Sequence, residues 1–153
     1  MATLDEVYFK FGEVSEAAQL LETELANILM ILGAADAGLF EQPDRQAAEE
    51  LFNRINRHSL GQLLERLHRS TDAAAQIEEQ LRHALKERNR LAHSFYRQHN
   101  FRRNSPEGCA VMLQDLRSIH NVLLGAYKSA LQLSGTDLDK IEMDVPPTGH
   151  LPI

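Results

Sequence analysis

Val7, Phe11, Val14, Ala18, Leu21, Leu25, Ile28 and Leu32 recur at alternating steps of four and three. That spacing puts them on one stripe of a helix running from about Leu4 to Leu32, with Gly33 as its stop. Such a stripe must bury against another helix. A second stripe, Cys109, Met112, Leu116, Ile119, Leu123, Ala126, Ala130 and Leu133, has the same rhythm and ends before Gly135. Ser105-Pro106-Glu107 announces its start with a capping serine, a proline at the first helical position and an acid in the first turn.

Shorter amphipathic stretches lie between the two. Pro43-Asp44 opens a helix to about Asn56, and Ser59 caps a helix from Leu60 to about Arg69. Whether 44–69 is one kinked helix or two pieces stays open. Thr71-Asp72 is the expected cap of a long helix reaching about Arg97. Residues 33–43 and Asn100 to Asn104 read as connections. No strand pattern reaches five alternating residues. The expected fold is all-α, an antiparallel up-down four-helix bundle with a short extra helix over 1–135. Residues 136–153, with Pro146, Pro147 and Pro152, read as an extended or mobile tail.

At 153 residues the chain is long enough for one domain with its own core. No apolar run approaches the roughly 18–20 residues expected of a bilayer span, and the acidic start lacks the features of a signal peptide. The single Cys109 excludes an intramolecular disulfide, suits a reducing cytoplasm and argues against a structural zinc site.

Charge changes the picture more. The chain carries a formal −6, which argues against a general nucleic-acid coat protein. Yet residues 82–103 hold Arg82, Lys86, Arg88, Arg90, Arg97, Arg102 and Arg103 against the single acid Glu87. A polyanion would be drawn to that window and repelled elsewhere. The plain alternative is that acidic helices pair with it.

Within this window the apolar stripe of the third long helix runs Ile77, Leu81, Ala84, position 88, Leu91, Phe95, and position 88 is arginine. A guanidinium facing a core needs an acceptor. That acceptor is an acid such as Glu22 or Glu24, a partner subunit, or an anionic ligand. Asn89, His93 and Tyr96 or Arg97 share the neighbouring stripe. Arg88 and His93 lie roughly 140° apart around a helix, too far to touch but close enough to meet one ligand. This set suits phosphodiester cleavage without metal. An imidazole can move the proton of a ribose 2′-hydroxyl, and a guanidinium can hold the phosphate as its charge develops. Phe95, Tyr96 and Phe101 among arginines suit a single strand. A metal site from His93 and His99 would need the loop to fold back. His58, His68, His120 and His150 show no ligand spacing, and Tyr8 and Tyr127 read as core or rim residues.

Arg88-Asn89-Arg90-Leu91-Ala92-His93 resembles the R-x(4–6)-H motif of HEPN domains, with the frequent polar residue after the arginine. The resemblance implies a four-helix up-down bundle with the motif near the end of the third long helix. It implies homodimers in which two motifs face one cleft, acting as metal-independent endoribonucleases in toxin–antitoxin or phage-defence systems. Arg88 and His93 would then be the catalytic pair and Asn89 their helper. Arg90, Tyr96, Arg97, Arg102 and Arg103 would hold the RNA, with no cofactor and no metal. One toxin branch carries R-x(4)-H-x-Y, whose tyrosine is adenylylated by a nucleotidyltransferase antitoxin. Here Phe95 stands at that position and Tyr96 one residue later. The competing expectation is a non-catalytic HEPN-like dimeric binding or regulatory module, in which Arg88 pairs with an acid of the first helix. A helix–turn–helix around 59–90 is disfavoured, because Ala73-Ala74-Ala75 offers few base-reading side chains.

Overall fold

The computed structural model describes residues 1–70 and 72–135. The expected Thr71 cap and the expected tail over 136–153 lie outside the described residues. The described chain is all-helical, with six α-helices: α1 (Leu4–Asp36), α2 (Arg45–Asn56), α3 (Leu60–Ser70), α4 (Glu78–His93), α5 (Phe95–His99) and α6 (Pro106–Leu133).

Local chemistry accounts for most of the boundaries. Thr3 and Glu6 form a reciprocal capping box at the start of α1. Asp44 accepts from the amides of Gln46 and Ala47 to start α2. Ser59 and Gln62 do the same for α3, and Ser105 accepts from the Gly108 amide for α6. The stretch 44–69 is therefore two helices, separated at Arg57–Ser59.

Three expectations need correction. Gly33 does not stop α1, which continues to Asp36. Its missing side chain instead admits Leu51 of α2, whose Cδ1 lies 2.9 Å from where a Cβ would stand. The long third helix is broken at both ends: residues 72–77 form a 3-10 turn, and α4 stops at His93. The second break is local, since the Ser94 hydroxyl donates back to the Arg90 carbonyl at 3.2 Å, a bond that bends helices. Finally, α1 is long and apolar enough, by length and composition, to cross a membrane, although 39% of the qualifying window is buried within the fold.

Side-chain pairs give the helix directions. Along α1, Phe11 meets Phe95 and Glu22 meets Arg88, so α1 and the α4–α5 segment are antiparallel. Arg90 meets Asp115 and Gln80 meets Ser129, so α4 and α6 are antiparallel. Lys10 meets His120 and Glu24 meets Ser134, so α1 and α6 run the same way. In an up-down bundle of four helices the first and last would be antiparallel. The reversal between α2 and α3 adds one pass and changes that parity.

The two long stripes close on each other as their spacing predicts. Val7, Val14, Ala18, Leu21, Leu25 and Ile28 of α1 are buried, as are Cys109 through Ala130 at the seam positions of α6. α4 contributes Leu81, Ala84 and Leu91, and α5 contributes Phe95. Arg88, the polar interruption in that row, is left half-buried between Ala84 and Leu91.

Candidate functional site

The interrupted row leaves Arg88 at the α1–α4 seam. Its Nε and Nη2 both donate to Oε1 of Glu22 at 2.8 Å. Its Nη1 donates to Oδ1 of its neighbour Asn89 at 3.2 Å. The two charged side chains keep 27% and 29% of their surface exposed, so the pair sits at the surface of the seam. Of the two acids the sequence offered, Glu22 takes the guanidinium. Glu24 is buried elsewhere and accepts from the Ser134 hydroxyl at 2.7 Å.

Two shallow furrows meet beside this pair. One, about 310 Å³, runs past Ser15, Gln19, Glu22 and Arg88. The other, about 360 Å³, runs past His93, Ser94, Tyr96 and Arg97. Phe11, Leu91 and Ala92 line both. Both volumes lie at the low end of the roughly 300–1,000 Å³ of small-ligand sites. Arg88 and His93 thus occupy adjoining furrows with the Leu91–Ala92 step between them. Neither of these two furrows, among the described residues, holds both side chains.

His93 is exposed at the last position of α4, and its ring makes no hydrogen bond or ion pair among the described residues. Its imidazole is available to solvent or to a ligand. Asn89 is exposed and serves Arg88, not the imidazole. Arg97 is exposed, with Nη2 donating to the His93 carbonyl at 3.3 Å. Arg103 donates to the Tyr8 hydroxyl at 2.7 Å. Tyr96 is only partly exposed, because its ring packs against Phe11 and Phe95. Burial raises its phenol's pKa, with Tyr8 adding to the effect and Arg103 opposing it.

Arg90 is placed differently from expectation. Its Nε and Nη2 reach Glu87 Oε2, at 3.1 and 2.7 Å. Its Nη1 and Nη2 each reach an oxygen of Asp115 at 2.7 Å, and Nη1 also reaches Gln98. All five N–H groups of a guanidinium are occupied. This side chain braces α4 against α6 and has no donor left for an RNA phosphate. The Asp115 bonds raise the Arg90 pKa further, more than burial lowers it.

Asp115 also accepts from Nε2 of His99 at 2.7 Å, and Arg102 Nη1 lies 3.0 Å from Nδ1 of the same ring. An arginine only donates and a carboxylate only accepts. The ring is therefore neutral, with its proton on Nε2. His99 is buried, stacked on Phe95 at 4.5 Å. It belongs to the brace, and no group of three or more metal-ligating side chains occurs among the described residues. Arg102 is exposed, but its Nη1 serves His99.

Neither Asp115 nor His99 was picked out as a site residue from the pattern. Asp115 lies beside a seam position of α6 with no sequence mark of its partner, 25 residues away. The one available signal was Phe95 to His99, a four-residue step that places the imidazole on the apolar side.

Comparison with protein-family models, with curated proteins and with solved structures found no match to this chain.

Proposed function

We propose that this chain is a metal-independent endoribonuclease of HEPN type that works as a homodimer and cuts single-stranded RNA by 2′-hydroxyl attack. The reading joins the R-x(4)-H resemblance to one observation: the His93 imidazole stands exposed and unbonded on a furrow that adjoins the Arg88 guanidinium. The shared direction of α1 and α6 departs from the up-down order that the resemblance implies, so the reading rests on the motif and its surroundings and not on the order of the helices. His93 takes the 2′-hydroxyl proton or supplies one to the leaving 5′-oxygen. Arg88, steadied by Asn89, holds the phosphate as charge builds on it. Arg97, Arg102 and Arg103 receive the flanking phosphates. The second copy supplies the walls that one chain lacks. Toxin or phage-defence duty in the cytoplasm, under an antitoxin of nucleotidyltransferase or other type, belongs to the same proposal.

The ion pair with Glu22 weighs on the other side. A pair that stays partly open to water, as this one does, is worth about 1 kcal/mol. A phosphodiester offering two acceptor oxygens to the same fork can therefore displace Glu22 at small cost. If Glu22 keeps the guanidinium, the chain is a non-catalytic HEPN-like dimeric binding or regulatory module, the reading this contact favours.

The deciding experiment incubates purified protein with fluorescently end-labelled single-stranded RNA in EDTA. Cleavage that disappears in both His93→Ala and Arg88→Ala, with unchanged helical melts, supports the nuclease. Cleavage that survives His93→Ala, that requires magnesium, or that never occurs removes it.

A further inference from the structure

Beyond His93, at the end of the molecule where α1 begins, lies a group of rings that the cleavage chemistry does not use. α1 and α5 bring four of them together. Phe95 is buried and Phe11 partly buried, with centroids 5.7 Å apart. Tyr96 lies over both, at 5.1 and 5.2 Å. Tyr8 lies outside Tyr96, at 6.2 Å and tilted by 58°.

Tyr8 is 45% exposed. A tyrosine so exposed in the second turn of a helix would ordinarily sample several rotamers. Here Tyr96 backs one side of its ring, and Arg103 donates to its hydroxyl at 2.7 Å from the turn before α6. The ring is held at both ends while much of its surface stays open. The 58° tilt means that Tyr8 and Tyr96 do not form two parallel walls. A planar ligand would instead lie on the open face of Tyr8. The furrow carrying His93 and Arg97 reaches Tyr96 itself.

We propose that Tyr8, backed by Tyr96 and strapped by Arg103, is a stacking site for one unpaired nucleobase of a single-stranded RNA whose backbone passes Arg97 and His93. The RNA class rests on the function proposed above, whereas the site and its preference for an unpaired base are additional. The chemistry selects the ligand in two steps. Arginines on an otherwise acidic body attract a polyanion. An open phenol face held rigid then rewards a π-system, and every base has one. Duplex bases are already stacked on each other and present no free face. An acidic peptide would use the arginines but gain little from the ring.

The test separates binding from cleavage by using the His93→Ala protein and a 5′-fluorescein-labelled U12 RNA, read by anisotropy. Tyr8→Leu in that background is expected to weaken U12 binding about 5- to 150-fold, the range for one base on an aromatic ring. Tyr8→Phe, which keeps the ring and loses only the hydroxyl, is expected to bind closer to the parent than Tyr8→Leu does. A duplex of the same length is expected to bind more weakly and to ignore Tyr8→Leu. Circular-dichroism melts of both variants should match the parent, because the side chain is not in the core.

Equal U12 affinity in the parent and Tyr8→Leu overturns the site. So does the absence of U12 binding, or binding of a polyglutamate peptide in place of U12. Tyr8-dependent binding by a wild type that cuts nothing would keep this site and remove the nuclease. Cleavage by wild type with Tyr8-independent binding would do the reverse.

Discussion

Arg88 of α4 and Glu22 of α1, 66 residues apart, share one carboxylate oxygen through two guanidinium nitrogens, each at 2.8 Å. The contact explains how an arginine occupies an otherwise apolar row. It also places the most chemically suggestive residue of the chain under the control of an acid from another helix.

Replacing Glu22 by Gln tests which role that acid plays. The pair is more than two-thirds covered but still wet, so the loss of stability should be about 1 kcal/mol or less. That corresponds to a few degrees in Tm at most. If Glu22 competes with phosphate for Arg88, U12 affinity measured by anisotropy should rise, by roughly fivefold for 1 kcal/mol. Weaker binding by Glu22→Gln would instead make Glu22 the group that orients Arg88, and the competition idea would fail.

The brace formed by Asp115, Arg90 and His99 should behave differently. Arg90 is the main cause that holds the Asp115 carboxyl below its usual 3.8, with His99 adding to it. A depressed carboxylate stabilises the fold above its unfolded pKa and loses that contribution as pH falls through the folded value. At pH 7, Asp115→Asn should therefore cost roughly 1.5–3 kcal/mol, the worth of hydrogen bonds to a charged group. The Tm gap to the parent should begin to narrow as pH falls below 3.8, where the unfolded chain takes up the proton, and should close as pH passes the lower folded value, where the native Asp115 loses its charge. A gap that stays constant from pH 7 to pH 2 would show that packing, not charge, holds α4 to α6.

Gly108 offers a steric test of the turn that carries Arg102 and Arg103. A Cβ there would stand 1.9 Å from the Arg102 carbonyl oxygen, a backbone atom that cannot rotate away. Gly108→Ala should cost about 1–3 kcal/mol by forcing the 100–104 turn off α6. The Arg103–Tyr8 bond should loosen with it, so U12 affinity in the His93→Ala background should fall in parallel. An unchanged Tm in a thermal melt would contradict this packing.

How far the pattern alone carried the description depends on the range of the interactions. Both long stripes and the caps at Asp44, Ser59 and Ser105 were legible, because a helix is closed by bonds three or four residues apart and by one apolar face. The break at Ser94 was not, since a back-bonding serine looks like any polar residue on paper. Arg90 was expected to meet RNA because it sat in a basic run. Five donors committed to Glu87, Asp115 and Gln98 show that local charge density does not reveal which cations are already paired.

The sequence by itself determined that the chain is helical, where its two longest helices bury their faces, and that an arginine interrupts the third row near a histidine. Only the tertiary structure decided the direction of α6 relative to α1, because an extra reversal at 57–59 changes parity without changing any local pattern. It alone decided that Glu22 answers Arg88, that Asp115 and His99 absorb Arg90, and that Tyr8 joins Tyr96. Each of those depends on helices distant in sequence arriving side by side, and a hydrogen bond or a ring contact forms only over the last few ångströms.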